Sequence, residues 1–180
     1  MQEAGRHIFL ITGIMASGKS TVAQLLAERL KKSVHVRGDS FRKMIVRGRV
    51  EMLPDSETEA IEQLRLRHQL TAAAADAYFE AGFDVVLQDV IIGSMLTEMI
   101  GLIRNRPLYV IVLAPSKVEV GRREAERAKS GYGVWMVDEL DRRLREETPQ
   151  IGMWIDSTDL SPEETVELIW KNAQHEAKVD

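Results

Sequence analysis

The residues Gly13-Ile14-Met15-Ala16-Ser17-Gly18-Lys19-Ser20 fit the pattern G-x-x-x-x-G-K-[ST]. No other feature restricts the fold as much, because the pattern has meaning only between a strand and a helix. Both neighbours are legible. Ile8 to Thr12 is an apolar run that reads as a buried strand. From about Lys19 to Lys31, Val22, Leu25, Leu26 and Leu30 share one side of a helix. Gly13 and Gly18 let the backbone wrap closely around an anion. Successive N–H groups and the start of the helix then face it. The candidate nucleotide-binding set is Gly13, Ala16, Ser17, Gly18, Lys19, Ser20 and Thr21. Lys19 can reach the β- and γ-phosphates of a triphosphate, and the Ser20 hydroxyl can ligate Mg²⁺. A glycine-rich turn that binds nothing is the plain alternative, and the flanking strand and helix weigh against it.

The rest of the chain alternates in the same way. Ser33–Arg37, Asp84–Gln88, Leu108–Leu113 and Met153–Ile155 read as further strands. A long helix is predicted over about 57–81, stopped by Gly82. Ser116 with Glu119, and Ser161-Pro162 with Glu164, read as capping boxes. A polar helical stretch over 118–128 leads into Lys129-Ser130-Gly131-Tyr132-Gly133, whose glycines suggest a mobile connector. Another helix is predicted over about 135–146. Five strands with helices between them imply an α/β fold, a parallel sheet covered on both faces. The expected organisation is one domain over residues 1–180, with a helical lid at about 118–134.

Composition narrows the function classes. The chain has 180 residues and no cysteine, so disulfides, thiolate catalysis and Cys-zinc sites are out. No apolar run reaches the roughly 18 residues needed to cross a bilayer. The first residues lead straight into a strand without a secretory pattern, so a cytoplasmic protein with no membrane partner is expected. The 24 basic and 28 acidic residues give a net charge of −4, which opposes broad nucleic-acid binding.

A glycine loop alone does not separate switch, motor and kinase. A guanine-reading N-K-x-D is missing from the sequence. Asp89, the candidate aspartate after the third strand, is followed by Val90 rather than a water-orienting glutamate. A kinase needs a base beside an acceptor hydroxyl. Asp39 follows strand two at the carboxyl edge of the sheet, where open α/β folds bind ligands. It can take the hydroxyl proton. Its competing reading is a helix N-cap. Arg42, one turn on, can share the cleft. Arg123 and Arg127 lie one turn apart and can neutralise the transferring phosphoryl group as a lid closes. Together with Arg122 they also read as a solvated face balanced by Glu119, Glu124 and Glu126. Asp89 can help hold Mg²⁺ through water, contact substrate, or cap the next turn. Between Arg37 and Arg49 stand five basic residues against one acid. They read as a solvated face or as an anionic-acceptor site, and only Phe41 is available for base stacking. His68 reads as a hydrogen-bonded histidine at the core edge, on a face with Ile61, Leu64, Ala75 and Tyr78. Trp135, Trp154 and Trp170 read as packing residues.

These residues together resemble a group of small P-loop kinases. The group includes chloramphenicol phosphotransferase, zeta-toxin-type kinases and polynucleotide 5′-kinases. Asp39-x-x-Arg42 is similar to the base-and-arginine pair of the polynucleotide kinases. Asp39-Ser40-Phe41-Arg42 is similar to the zeta-toxin segment. Gln88-Asp89-Val90, Arg123-Glu124 with Arg127, and chain length resemble chloramphenicol phosphotransferase. Residues 155–164 resemble the last strand-to-helix loop of the group, beside the adenine. The resemblance spans about residues 7 to 175, and residues 44–58 match none of its members. It implies a five-stranded parallel sheet of the shikimate- and adenylate-kinase type, ATP and Mg²⁺ as cofactors, Asp39 as general base, and Arg123 and Arg127 as lid arginines. The expected activity is phosphotransfer to a small hydroxylated molecule, antibiotics included. A nucleotide or polynucleotide 5′-kinase and a non-catalytic ATP-binding protein are the alternatives. Nucleic acid is not the favoured partner, and a monomer or weak dimer is expected.

Overall fold

The computed structural model describes residues 5–52, 58–126 and 136–180. In chain order the elements are β1 (Ile8–Gly13), α1 (Lys19–Arg29), β2 (Ser33–Arg37), α2 (Gly38–Lys43), α3 (Thr58–Glu80), β3 (Asp84–Gln88), α4 (Met95–Leu102), β4 (Leu108–Leu113), α5 (Lys117–Ala125), α6 (Val137–Arg142), β5 (Met153–Ile155), α7 (Pro162–Glu176) and β6 (Lys178–Val179). A π-helical turn over Arg143–Glu147 follows α6 directly. The first five strands form a parallel sheet in the order β2-β3-β1-β4-β5. The short β6, which periodicity cannot reveal, pairs antiparallel with the start of β4.

The register explains the two-layered core. Ile8 lies beside Val85 on one side and Leu108 on the other, and Phe9 lies between Val86 and Tyr109. Alternate residues therefore point to opposite faces. Ile8, Leu10, Val85, Leu87 and Val110 pack with Ala72, Ala75 and Phe79 of α3 and with Leu96 and Met99 of α4. Phe9, Ile11, Val86 and Ile111 pack with Val22 and Leu26 of α1 and with Val166 and Ile169 of α7. Both faces are covered, as the unbroken apolar strands require. No helix among the described residues is long and apolar enough to cross a membrane.

Local chemistry ends the helices. At the close of α3, Gly82 has φ +91 and donates to the Phe79 carbonyl, while Phe83 donates to that of Tyr78. This is the glycine-closed helix end expected at Gly82. Helix α1 stops at Arg29, short of Lys31. The capping box at Ser161 and Glu164 is complete. Replacing Ser161 with Ala should cost about 1 kcal/mol in a denaturant melt. The box at Ser116 is only half formed. Ser116 accepts from the Glu119 amide, but its own N–H donates to Thr158 Oγ1 (2.7 Å), and the Glu119 carboxylate turns to arginines instead. His68 is buried as predicted, yet its Nε2 has no hydrogen-bond partner, and burial holds its pKa below the ordinary value. Tyr78, on the same helix, is exposed. Trp154 and Trp170 pack against the two core layers, and Arg29 lies over the Trp170 ring.

Asp76 of α3 joins the helix to the turn before β4. It is 1% exposed and accepts from the Arg104 and Asn105 amides, from Arg104 Nε (3.1 Å) and from Asn105 Nδ2 (2.9 Å). Burial pushes its carboxyl up, but these hydrogen bonds outweigh it and hold the pKa below the ordinary value. A group with a depressed folded pKa contributes stability above its unfolded pKa of about 4 and loses it as pH falls through the folded value. Asp76→Ala should therefore cost about 3 kcal/mol at neutral pH. Denaturant melts should show that difference shrinking below pH 4 as the wild-type carboxyl protonates.

Candidate active site

The carboxyl ends of β1, β2, β3 and β4 gather the candidate residues on one edge of the sheet. The turn after β1 is tightly built. Gly13 has φ +146, and a Cβ there would lie 2.4 Å from the Leu113 carbonyl oxygen and 2.7 Å from Ser17 Oγ. Ala16 adopts a left-handed φ of +60, and Gly18, φ +95, opens α1. That helix has neither a side-chain cap nor an acidic residue in its first turn. The Thr21 and Val22 amides donate to the Gly18 carbonyl, and the positive end of the helix dipole faces the loop, where it favours an anion. Lys19 is 7% exposed and folds back over the loop, its Nζ donating to the Ile14 carbonyl at 2.6 Å. The Ser20 and Thr21 side chains are exposed at the mouth.

Beside this loop lies a cavity of about 510 Å³, walled by Gly18, Thr21, Arg123, Ser157 and Leu160. Its far wall is shaped by Asp156, which accepts from the Thr158 amide at 3.0 Å, and by Thr158, which accepts from Ser116. A hollow of about 530 Å³ near Arg106, Tyr109 and Lys178 lies at the other end of β4, away from the loop.

Arg123 bridges the loop and the cavity wall. It donates to the carbonyls of Ser17 (3.3 Å) and Ser157 (2.9 Å), and its Nε donates to Glu119 at 2.7 Å. Arg122, by contrast, is exposed and pairs with Glu119 and Glu126, so the solvated-face reading holds for it. Hydrogen bonds from Arg122 and Arg123 hold the Glu119 carboxyl down at about 2. Arg127, the connector at 129–133 and Trp135 lie outside the described residues.

Asp39 stands in the first turn of α2, which opens at Gly38 with Arg37 as the cap position. The N-cap reading of Asp39 is thus replaced by another arrangement. Its carboxylate is 39% exposed and meets Arg42 Nε at 3.0 Å and Lys43 Nζ at 2.6 Å. Burial raises its pKa, while hydrogen bonds from Lys43 and Arg42 outweigh that and leave it below the ordinary value. Asp39 is therefore ionised at neutral pH and can accept a proton. Arg42 is also held by Glu51, and Arg49 pairs with Glu51 as well. Much of the basic segment is thus matched by local carboxylates.

Asp89 does not present a free carboxylate to a metal. It is 3% exposed, and Arg67 of α3 grips both oxygens through Nε (2.5 Å) and Nη2, while the Val90 amide adds a bond of 2.7 Å. A carboxylate buried this deeply needs a cation beside it. Both Asp89 oxygens are engaged in that ion pair, and Ser20 stands exposed at the mouth as the other candidate Mg²⁺ ligand. No group of three or more His, Asp or Glu placed to hold a metal occurs among the described residues.

Sequence reasoning missed Arg67 and the crowding at Gly38. A Cβ on Gly38 would lie 2.1 Å from Asp89 Oδ2. The available clue was the phase of α3. Arg67 falls between the exposed stripe at Leu66 and Leu70 and the buried Thr71 and Ala75, so it borders the sheet where Asp89 follows β3.

Comparisons with known proteins place the fold. A UPF0200 protein of Aeropyrum pernix is 32% identical over 142 residues, covering 78% of this chain and 75% of that protein. The tunicamycin resistance protein of Deinococcus radiodurans has a similar structure, with a TM-score of 0.68 at 16% identity, over 97% of this chain and 99% of that one. A sugar kinase from Janibacter sp. HTCC2649 gives 0.66 at 17% identity, over 94% and 96% of the two chains. The fold is therefore the one used by P-loop kinases. The AAA domain family model matches residues 8–146, and the chain belongs to that family.

Proposed function

We propose that this chain is an ATP-dependent phosphotransferase acting on a hydroxyl of a small molecule. The observation that carries the reading is the pairing of a phosphate loop with an ionised carboxylate on the same sheet edge. Only β3 stands between β1 and β2. At about 4.8 Å per strand, Asp39 lies roughly 10 Å across the edge from Gly13, room for a phosphoryl group and a hydroxyl between them. In this reading the loop amides and Lys19 hold the triphosphate. Ser20 would hold Mg²⁺, which would supply charge neutralisation for the phosphates. Asp39, oriented by Arg42, takes the acceptor proton as the hydroxyl oxygen bonds to the γ-phosphorus. The bond from that phosphorus to the bridging oxygen breaks, and ADP leaves. Arg123 and Arg127 offset the charge of the transferring group. The kinase names of the structural neighbours and the resemblance to chloramphenicol phosphotransferase support a small-molecule acceptor.

The test is acceptor-stimulated ADP formation across a panel of hydroxylated metabolites and antibiotics, with 5′-hydroxyl oligonucleotides as a second arm. Stimulation by an uncharged small molecule is expected. Labelling of oligonucleotides alone would move the assignment to a 5′-kinase. Tight nucleotide binding with no stimulation by any acceptor would make the chain a non-transferring ATP-binding protein. The engagement of Arg42, Lys43 and Arg49 by Asp39 and Glu51 favours the first outcome.

A further inference from the structure

The guanidinium of Arg67 faces two carboxylates at once. Nε and Nη2 hold Asp89, and the remaining Nη1 points to Asp39 Oδ1 at 3.8 Å. The pair lies deep, Arg67 at 13% exposure and Asp89 at 3%. It also presses on the backbone that carries Asp39, because Asp89 Oδ2 occupies the space where any side chain at Gly38 would begin. Three elements therefore converge behind one carboxylate: α3 through Arg67, the end of β3 through Asp89, and the start of α2 through Gly38.

We infer that Arg67 and Asp89 are positioning residues, a buried strut that aims the Asp39 carboxylate into the cleft. The inference rests on the reading of Asp39 as the base. Two physical points support it. A buried ion pair is a poor stabiliser, since its desolvation cost can exceed its Coulombic gain, and well-packed apolar residues often serve as well. A role in stability alone is thus a weak reason for placing two charges here. The fork of an arginine, moreover, can hold one carboxylate side-on and still offer a nitrogen to a second, which a lysine cannot do. Arg42 and Lys43 hold Asp39 from within α2, and Glu51 lies behind Arg42. Arg67 ties Asp39 to α3 and, through Asp89, to the residue that follows β3.

The double variant Arg67→Gln with Asp89→Asn removes the strut without leaving a buried charge unpaired. Gly38→Ala leaves every charge in place and forces the Asp89 contact apart. The readout is the carboxyl ¹³C titration of Asp39 in the full chain, assigned with Asp39→Asn, beside Mg-ATP affinity and thermal melting. The double variant removes a cation 3.8 Å from Asp39 together with the Asp89 carboxylate, so the Asp39 resonance should move at neutral pH while its midpoint rises only slightly. Gly38→Ala should displace the Asp39 resonance at neutral pH. Mg-ATP affinity should stay within about twofold in Gly38→Ala, which leaves the phosphate loop and every carboxylate in place. With an acceptor found by the panel, both variants should lose about 10- to 100-fold in kcat, Gly38→Ala at unchanged KM for ATP. A lowered melting temperature with the Asp39 titration and resonance unmoved would mean that the pair only clamps α3 to the sheet, and would overturn the inference. The base reading fails separately, through an Asp39→Asn variant of wild-type activity.

Discussion

Asp39→Asn should lower phosphoryl transfer by about 10²- to 10⁴-fold, the range contributed by a positioned general base. The amide has the size of the carboxylate and keeps an oxygen for Arg42, so α2 should remain in place. It cannot accept the acceptor proton. Mg-ATP affinity should be unchanged, because the phosphate loop lies on β1 and α1, two strands away. The wild-type rate should be flat through neutral pH and fall only where Asp39 protonates. Hydrogen bonds from Lys43 and Arg42 place that point below the ordinary aspartate value. A steady-state comparison of kcat, KM and nucleotide Kd for the two proteins checks the prediction. An Asn variant that turns over like the wild type would remove Asp39 from the chemistry.

Gly13→Ala should disable the phosphate loop. The new methyl would sit 2.4 Å from a backbone oxygen of β4, an atom held in the middle layer of the sheet, and at a φ of +146. Neither the strain nor the overlap can be relieved by rotating a side chain. Together they should cost about 4 kcal/mol in a chemical melt. The expected consequence for function is loss of Mg-ATP binding, since the turn must move away from β4. Gly48→Ala serves as a control in the same melt: its φ is +77 but its Cβ would meet nothing within 4 Å, so strain alone should cost about 1 kcal/mol.

The layered sheet was legible because its signals are local. Apolar runs set the strands, glycine loops set the turns, and every strand from β1 to β5 falls where periodicity predicts it. Asp39 and the Gly13–Ser20 loop were legible for the same reason, each being read from its place after a strand. Arg67 was not, because its meaning lies in a partner 22 residues away. Within its own helix it is one polar residue among Arg65, His68 and Gln69. Asp89 kept three readings in the sequence, toward Mg²⁺ through water, substrate or a turn cap, and its counter-ion Arg67 was invisible for the matching reason. The Ser116 box failed on competition, since Arg122 and Arg123 offer Glu119 charged partners and Thr158 offers Ser116 another acceptor. Local pattern could not weigh those rivals.

None of these roles can operate unless the loop after β1 holds a nucleotide triphosphate. Calorimetric titration of the purified chain with ATP in the presence of Mg²⁺ tests that most directly, alongside Lys19→Met. Saturable one-to-one binding by the wild type, weakened at least about tenfold when the lysine charge-assisted contacts are lost, is the result this account predicts. An absence of binding heat at several temperatures, with the protein shown to be folded, would contradict it.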